Sequence, residues 1–518
     1  MTKQVCIVGG GATGAGLLWC LAQDAGASAN WTATLLHEDS ELGGHSYTLP
    51  VQHNGKMLPI DIGVQLICPL MYPNVDLMLQ TKDFATVRRT PFDLLKVACA
   101  FPRDPRTGDQ RNWGNFPAYQ SSTDPRFQIL SPTMADDCQR FEQFMRYLSY
   151  AFLNVSLADY LRWNISNFAQ VEWFVPHFIE PYMSIMNGYG ASLLDQMTFK
   201  DLAPLFGGFQ PLASLTEPGV GWQRFTDGSA SWVRAMVTVA QAAMQTDVRL
   251  GAKVSAVWTE STGGHRVHVR WSESGQQMEG TFDKVVLTTD MWTNHELLDN
   301  SDNQALWNAL YRYYVHKDLW SLLPGKCYVH TDRDILSPDL RDELETLQFT
   351  AYYAPLPNPP YYELRRTFTT YIQKNLLNDA AGDGLYVTMY GDEPTNDWHV
   401  PDPSKTVRAI SWRHGMWVPS FMDGPKRSLH RAQGLGAIPY QGQMDTNVYF
   451  AGNNTTMDSE EGALVSAMVI AQYAFNVPYP LLPMPHATAI ALFGLMYQVM
   501  FPLLDTQRIE LLNTGTIT

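Results

Sequence analysis

Gln4-Val5-Cys6-Ile7-Val8-Gly9-Gly10-Gly11-Ala12-Thr13-Gly14 decides the fold of this chain. A short apolar run breaks into glycines, resumes as a helical stretch from Ala12 to Ala25, and is followed by a second strand pattern at Thr32 to His37. That order reads as a βαβ unit. Placed between strand and helix, the G-x-G-x-x-G spacing has a mechanism. Gly9 permits the tight turn, Gly11 lets backbone approach a pyrophosphate, and Gly14 lets helix and strand pack closely. The helix start, with Ala12 and Thr13, offers N–H groups and a positive dipole end to an anion. The second strand is then expected to end on a carboxylate for ribose hydroxyls. The residues there are His37-Glu38-Asp39-Ser40-Glu41-Leu42-Gly43-Gly44-His45. Either a bulge brings Glu38 to the ribose or His37 donates to it, with Glu38 favoured.

The rest of the chain bounds what such a domain serves. At 518 residues it has room for two to four domains. With 45% hydrophobic and 17% charged residues it is globular. A net charge of −15 repels nucleic acid in the absence of a basic patch, and none is seen. The six cysteines are scattered, with no spacing suited to zinc, so a reduced, cytoplasmic chain without a metal centre is expected. No secretory pattern opens the sequence, and the mature chain is expected to start at or near residue 1.

Four ordered segments carry a family resemblance. The acidic strand end followed by Leu42-Gly43-Gly44 resembles the FAD-binding start of the flavin amine oxidase, phytoene desaturase and fatty-acid double-bond isomerase superfamily. In that family a glutamate stands where this chain has His37. Ile60-Asp61-Ile62-Gly63 followed by Tyr72-Pro73-Asn74 is similar to the family's D-x-G and TYPN pair. Asp227-Gly228-Ser229 and Trp232, before a strand at Lys253 to Trp258, resemble its G-G-S helix and the strand whose backbone near Val254 reads adenine. Val448-Tyr449-Phe450-Ala451-Gly452-Asn453 followed by Glu461-Gly462-Ala463 looks like its closing F-A-G-D…E-G-A signature, with Asn453 in place of the aspartate. A turn like Gly44-His45-Ser46-Tyr47-Thr48 and a run like Tyr328-Val329-His330-Thr331-Asp332 also recur in the bacterial NAD/FAD-binding proteins of this superfamily, which are associated with lipid modification.

The resemblance implies an α/β chain: a Rossmann-type FAD-binding domain of the glutathione-reductase-2 type with an inserted α+β substrate domain. The expected division is 1–80, 209–300 and 430–480 for FAD, and 81–208 with 301–429 for substrate. A C-terminal apolar helix and tail occupy 481–518. The implied FAD contacts are Gly9, Gly11, Ala12, Thr13, Gly14, His37, Glu38, Gly43, Gly44, His45, Gly63, Val254, Gly452, Asn453, Glu461, Gly462 and Ala463. A helix starting near Glu461 would aim its dipole at the flavin N1–C2=O edge, where charge gathers on reduction.

The chemistry is less determined. Amine oxidases of the family put an aromatic cage wall two residues before the Glu-Gly pair, where this chain has Ser459. A substrate without a nitrogen lone pair needs a positioned base or a carbocation route. His45, Asp458, Ser459, Glu460 and His414 are candidates. In plainer roles His45 holds a phosphate, His414 is a core histidine and Glu460 caps the closing helix. Arg88, Arg224 and Arg413 are candidate clamps for a carboxylate. Aromatic and Met stripes at Phe141 to Leu153 and Trp173 to Met186, with the nearly uncharged stretch Ala487 to Leu504, suit an apolar pocket. That last stretch reads first as a packing helix, then as a membrane-surface or dimer contact, and least as a membrane span. The leading expectation is an FAD enzyme abstracting a hydride from a hydrophobic small molecule. An O2-using amine or amino-acid oxidase and a flavin-binding partner without turnover are the alternatives.

Overall fold

The structure is a computed structural model that describes residues 2–93, 95–101, 112–114, 181, 184–185, 221–259, 266–298, 323–338, 346–353, 365–392, 394, 398–414, 432–434, 446–481 and 487–501. The stripes at 141–153 and most of 173–186 lie outside these residues, as do 502–504.

The opening run Lys3–Val8 is a strand whose last four residues are buried. It sits at the centre of a five-stranded parallel sheet, ordered Val448–Phe450, Lys284–Leu287, Lys3–Val8, Trp31–His37, Thr246–Leu250. Strands buried on both faces are expected to read as continuous apolar runs, and Val5-Cys6-Ile7-Val8 does. The helix Ala12–Gln23 packs against Ala230–Ala243 and Glu460–Phe475 on one face of this sheet. Contact with the last of these is close because Gly16 has no side chain: a Cβ there would lie 3.2 Å from Leu464 Cδ1. An antiparallel meander, Ala252–Thr259, Val267–Glu273 and Gln276–Phe282, follows the last strand of the sheet in chain order.

A second sheet has seven strands in the order Thr406–His414, Leu323–His330, Tyr386–Tyr390, Arg365–Ile372, Leu347–Tyr353, Val97–Ala100, Trp113–Gly114. The polar, turn-rich stretch 378–404 contains the buried strand Tyr386–Tyr390. The segment after residue 81 contributes Val97–Ala100 and Trp113–Gly114 to this sheet, while Arg89–Pro91 pairs with Gln223–Phe225 in a separate two-stranded one. In the motif at 328–332, His330 bonds Thr388 Oγ1 at 2.8 Å and accepts the Asp332 N–H, and burial lowers its pKa to about 4. The motif thus fastens a strand end with a neutral imidazole.

The apolar C-terminal run forms the helix Ala487–Met500, with Ala489, Phe493, Met496 and Met500 buried. It lies against the closing helix Glu460–Phe475, and Tyr473 stacks on Phe501 at 3.8 Å. Among the described residues no helix is long and apolar enough to cross a membrane.

Candidate functional site

The C-terminal ends of Lys3–Val8, Trp31–His37 and Lys284–Leu287 open on one cavity of about 990 Å³, at the crevice where open α/β sheets bind ligands. Gly9, Gly10, Gly11, Ala12 and Thr13 line one part of it. Gly9 has φ +113°, and a Cβ on Gly14 would lie 2.0 Å from the Gly9 carbonyl oxygen. The turn therefore requires glycine at both positions. Gly11 is different, since a Cβ there would come no nearer than 3.5 Å to any protein atom. Its bare backbone faces the cavity and leaves room for a bound group.

The second strand ends unlike the family pattern. His37 is buried, with Nδ1 accepting the Gly10 N–H at 3.2 Å and Nε2 facing the Glu41 carbonyl at 3.0 Å. Nε2 therefore carries the proton, and burial lowers the pKa, keeping the ring neutral. Both nitrogens are committed to backbone, so His37 has no donor for a ribose. Gly10 is glycine for the same reason, because a Cβ would lie 2.7 Å from His37 Cγ. Glu38, on the cavity wall and exposed, pairs with Lys253 at 3.3 Å. Beside it, pairing of Ala252–Thr259 with Val267–Glu273 slips between Val254 and Ala256. This bulge faces the cavity through Val254 and Ser255.

Gly43 and Gly44 pack on the first turn, with the Gly43 N–H donating to the Gly10 carbonyl at 3.0 Å. Gly63 has no room for a side chain, since a Cβ would lie 1.9 Å from the His45 carbonyl oxygen. Gly43, Gly44, His45 and Gly63 all line the cavity. The His45 ring stands edge-on to Trp412 at 5.0 Å, and Trp412 Nε1 donates to the Ile62 carbonyl at 2.9 Å. The second sheet supplies the facing wall through Tyr371, Met389, Ile410 and Trp412.

The closing signature splits into two roles. Asn453, Asp458, Ser459, Glu460 and Ala463 line the cavity; Gly452, Glu461 and Gly462 do not. Ser459, not Glu460, is the N-cap, accepting the Gly462 N–H at 3.0 Å. Gly462 is glycine because a Cβ would lie 2.0 Å from the Met457 carbonyl oxygen, and Gly452 because its φ is +127°. Glu461 turns away from the cavity: it accepts the Asn74 N–H at 2.9 Å, Asn74 Nδ2 at 2.6 Å and the Val75 N–H at 3.0 Å. Asn74 also donates to the Ala489 carbonyl and accepts from Tyr479. The TYPN-like and closing motifs are thus halves of one buried network. Asp61 works similarly, accepting from Thr48 and from the Ser229 N–H and hydroxyl at the start of the helix Ala230–Ala243.

Asn453 Nδ2 donates to Asp458 Oδ1 at 3.0 Å, leaving Asn453 Oδ1 buried without a donor. The aspartate absent from position 453 is offset by Asp458, and an aspartate at both places would set two carboxylates against each other. His414 ends its strand opposite Leu323, and its side chain lies outside the described residues. Of the candidate clamps, Arg88 is exposed and bound to Asp227, and Arg224 is buried and donates to the Leu377 carbonyl. Only Arg413 lines the cavity, 3.8 Å from Asp290. Sequence reading missed Trp412, Tyr371, Met389, Ile410, Ser46 and Gln65. Ser46 and Gln65 stand within two residues of recognised motifs, whereas Tyr371 and Met389 carry no local signal.

Burial pushes the Glu460 carboxyl up to about 7, against a Ser46 hydroxyl that donates to it at 2.5 Å. The folded pKa lies above the unfolded one, so the contribution to stability is full below about pH 4 and lost as pH rises through 7. Urea titrations from pH 5 to 8 are expected to show this decline in the wild type and a flatter profile in Glu460→Gln.

The comparisons agree with this geometry. Residues 7–81 match the NAD(P)-binding Rossmann-like domain family. No curated protein matches the sequence. Among solved structures, the CLA-producing fatty acid isomerase from P. acnes has TM-score 0.55 at 13% identity, covering 91% of this chain and 98% of that one. An oxidoreductase from Methanosarcina mazei has TM-score 0.53 at 12% identity, covering 90% and 100%. Putrescine oxidase, bound to putrescine, has TM-score 0.52 at 14% identity, covering 92% and 99%. Residues 7–81 thus carry an NAD(P)-binding Rossmann-like domain, and the chain shares its overall fold with these solved structures.

Proposed function

We propose that this chain is an FAD-dependent oxidoreductase that takes a hydride from an apolar substrate, giving dehydrogenation, desaturation or a shifted double bond. The observation that carries the reading is a single cavity that runs from the glycine turn to the apolar wall of the second sheet. One end suits a dinucleotide and the other an uncharged carbon skeleton. The residues fit FAD at several points. Gly11 leaves space for a pyrophosphate, Glu38 is the acid for a ribose, the bulge at Val254 offers backbone to adenine, and Asn453 Oδ1 awaits a hydroxyl donor. Bound there, a flavin supplies a two-electron acceptor.

The chain's own residues then position and exclude. Trp412, held by Ile62, and His45 stand together on the cavity wall, where they would hold a flavin ring. Tyr371, Met389 and Ile410 present apolar surface to substrate and keep water out. Glu460, in the first turn of the closing helix, lines the cavity and can hold a proton there. The amine-oxidase alternative loses support at Ser459, whose hydroxyl caps a helix where that chemistry calls for an aromatic wall.

Protein purified with, or reconstituted with, FAD is expected to be yellow and to bleach anaerobically on addition of a polyunsaturated fatty acid or polyene. Bleaching by amines alone, with peroxide on readmitting air, would replace the substrate class. A chain that takes up no flavin overturns the proposal.

A further inference from the structure

Glu460 is 4% exposed, lines the cavity, and has no ion pair among the described residues. Its surroundings fix where a proton can sit. Ser46 Oγ receives the Trp232 Nε1–H at 3.3 Å and gives its own proton to Glu460 Oε1 at 2.5 Å. Oε1 is therefore committed as an acceptor, and a proton on Glu460 must reside on Oε2. That oxygen bonds to no described residue, and Glu460 lines the cavity. A second observation points to a ligand in the same cavity: Gln65, also 4% exposed and lining it, has a buried Oε1 with no donor among the described residues.

The groups acting on Glu460 are acidic or neutral. Asp458 precedes it in the same segment, Asp61 at the end of the strand Lys56–Asp61 is near enough to act on it by charge, and the Tyr72 phenol feels the charge of Glu460. His45, on the cavity wall, is turned to Trp412. The nearby negative charges and burial both favour the protonated form, and burial holds the carboxyl up to about 7, where a modest change in local charge moves the proton.

We infer that Glu460 is a redox-coupled proton holder, whose Oε2 gains a proton when negative charge develops at the ring end of the cavity and returns it when that charge leaves. The inference rests on the flavin reading above. With dithionite as donor, itself oxidised to sulfite, two electrons would go to the flavin while one solvent proton, its counter-charge left to the buffer, forms the O–H bond at Oε2, and no carbon bond changes. Glu460 thus offsets one of the added charges, beyond what the closing helix dipole does.

The test is a reduced-minus-oxidised infrared difference spectrum of the flavin-loaded full chain at pH 8, with dithionite as reductant. Reduction is expected to raise a protonated-carboxyl C=O band that shifts in D2O and vanishes in Glu460→Gln but persists in Asp458→Asn. The flavin midpoint potential is expected to lose one proton of pH dependence in Glu460→Gln. If Glu460→Gln does not load flavin, Ser46→Ala takes its place, and removing its hydroxyl donor is expected to move the band. A wild-type protein that reduces fully without the band, or a band unmoved by these changes, overturns this inference and leaves the proposed function standing. Failure to bind flavin at all overturns both.

Discussion

Gly14→Ala is expected to unfold or severely destabilise the chain even without cofactor, while Gly11→Ala leaves the flavin-free protein as stable as the wild type and abolishes flavin uptake. At position 14 the new Cβ would lie 2.0 Å from the Gly9 carbonyl oxygen and 3.2 Å from Thr288 Oγ1. Both obstacles follow the C-terminal ends of interior strands of the sheet, and Gly9 is itself held at φ +113°. Relief requires moving the helix away from the strands, and overpacking of this kind costs about 1–3 kcal/mol or more. At position 11 no protein atom lies within 3.5 Å of the added carbon and φ is −82°, which any residue accepts. The methyl group there would compete only with what the cavity holds. Thermal unfolding and bound flavin per chain, measured on both variants, separate the two roles. Loss of stability in Gly11→Ala, or normal stability in Gly14→Ala, would show that the turn is built otherwise.

Glu461→Ala is expected to lower stability by several kcal/mol in denaturant titrations, since each buried donor left without an acceptor costs about 1–3 kcal/mol. It strands the Asn74 and Val75 amides and the Asn74 side chain together in a buried place. Glu461→Gln keeps an acceptor oxygen but brings an NH2 group against those donors, so it should fall between the two. Because Glu461 does not line the cavity, flavin that does bind to the folded fraction should have a wild-type spectrum. A spectrum altered in proportion to the stability loss would place Glu461 at the ring instead.

The sequence shows the first βαβ unit and the closing helix to within a residue or two, because glycine turns, apolar runs and helix starts are local signals. Pairing is not local. Val97–Ala100 lies parallel to Leu347–Tyr353, and no periodicity in either segment names its partner. The strand Tyr386–Tyr390 is hidden for another reason: it is short and set in polar, turn-rich sequence. The wall formed by Tyr371, Met389 and Ile410 depends on that assembled sheet, so it too is invisible beforehand. At Glu461 the resemblance implies a cofactor contact, whereas its carboxylate is bonded to Asn74 and Val75 away from the cavity lining. At His37 the departure from the family pattern is legible, but its resolution is not. Whether the imidazole serves ribose or backbone is decided by Gly10, which the spacing G-x-G-x-x-G treats as any residue.

Asn74 also bears on how the chain is made. It is joined to Glu461 across 387 positions, and to Tyr479 and Ala489 beyond it. The middle of the parallel sheet likewise awaits Lys284–Leu287 and then Val448–Phe450. On a ribosome, the first hundred residues emerge with their apolar faces uncovered and must wait for most of the polypeptide before those faces are shielded. Slow maturation and reliance on chaperones during synthesis follow from this wiring.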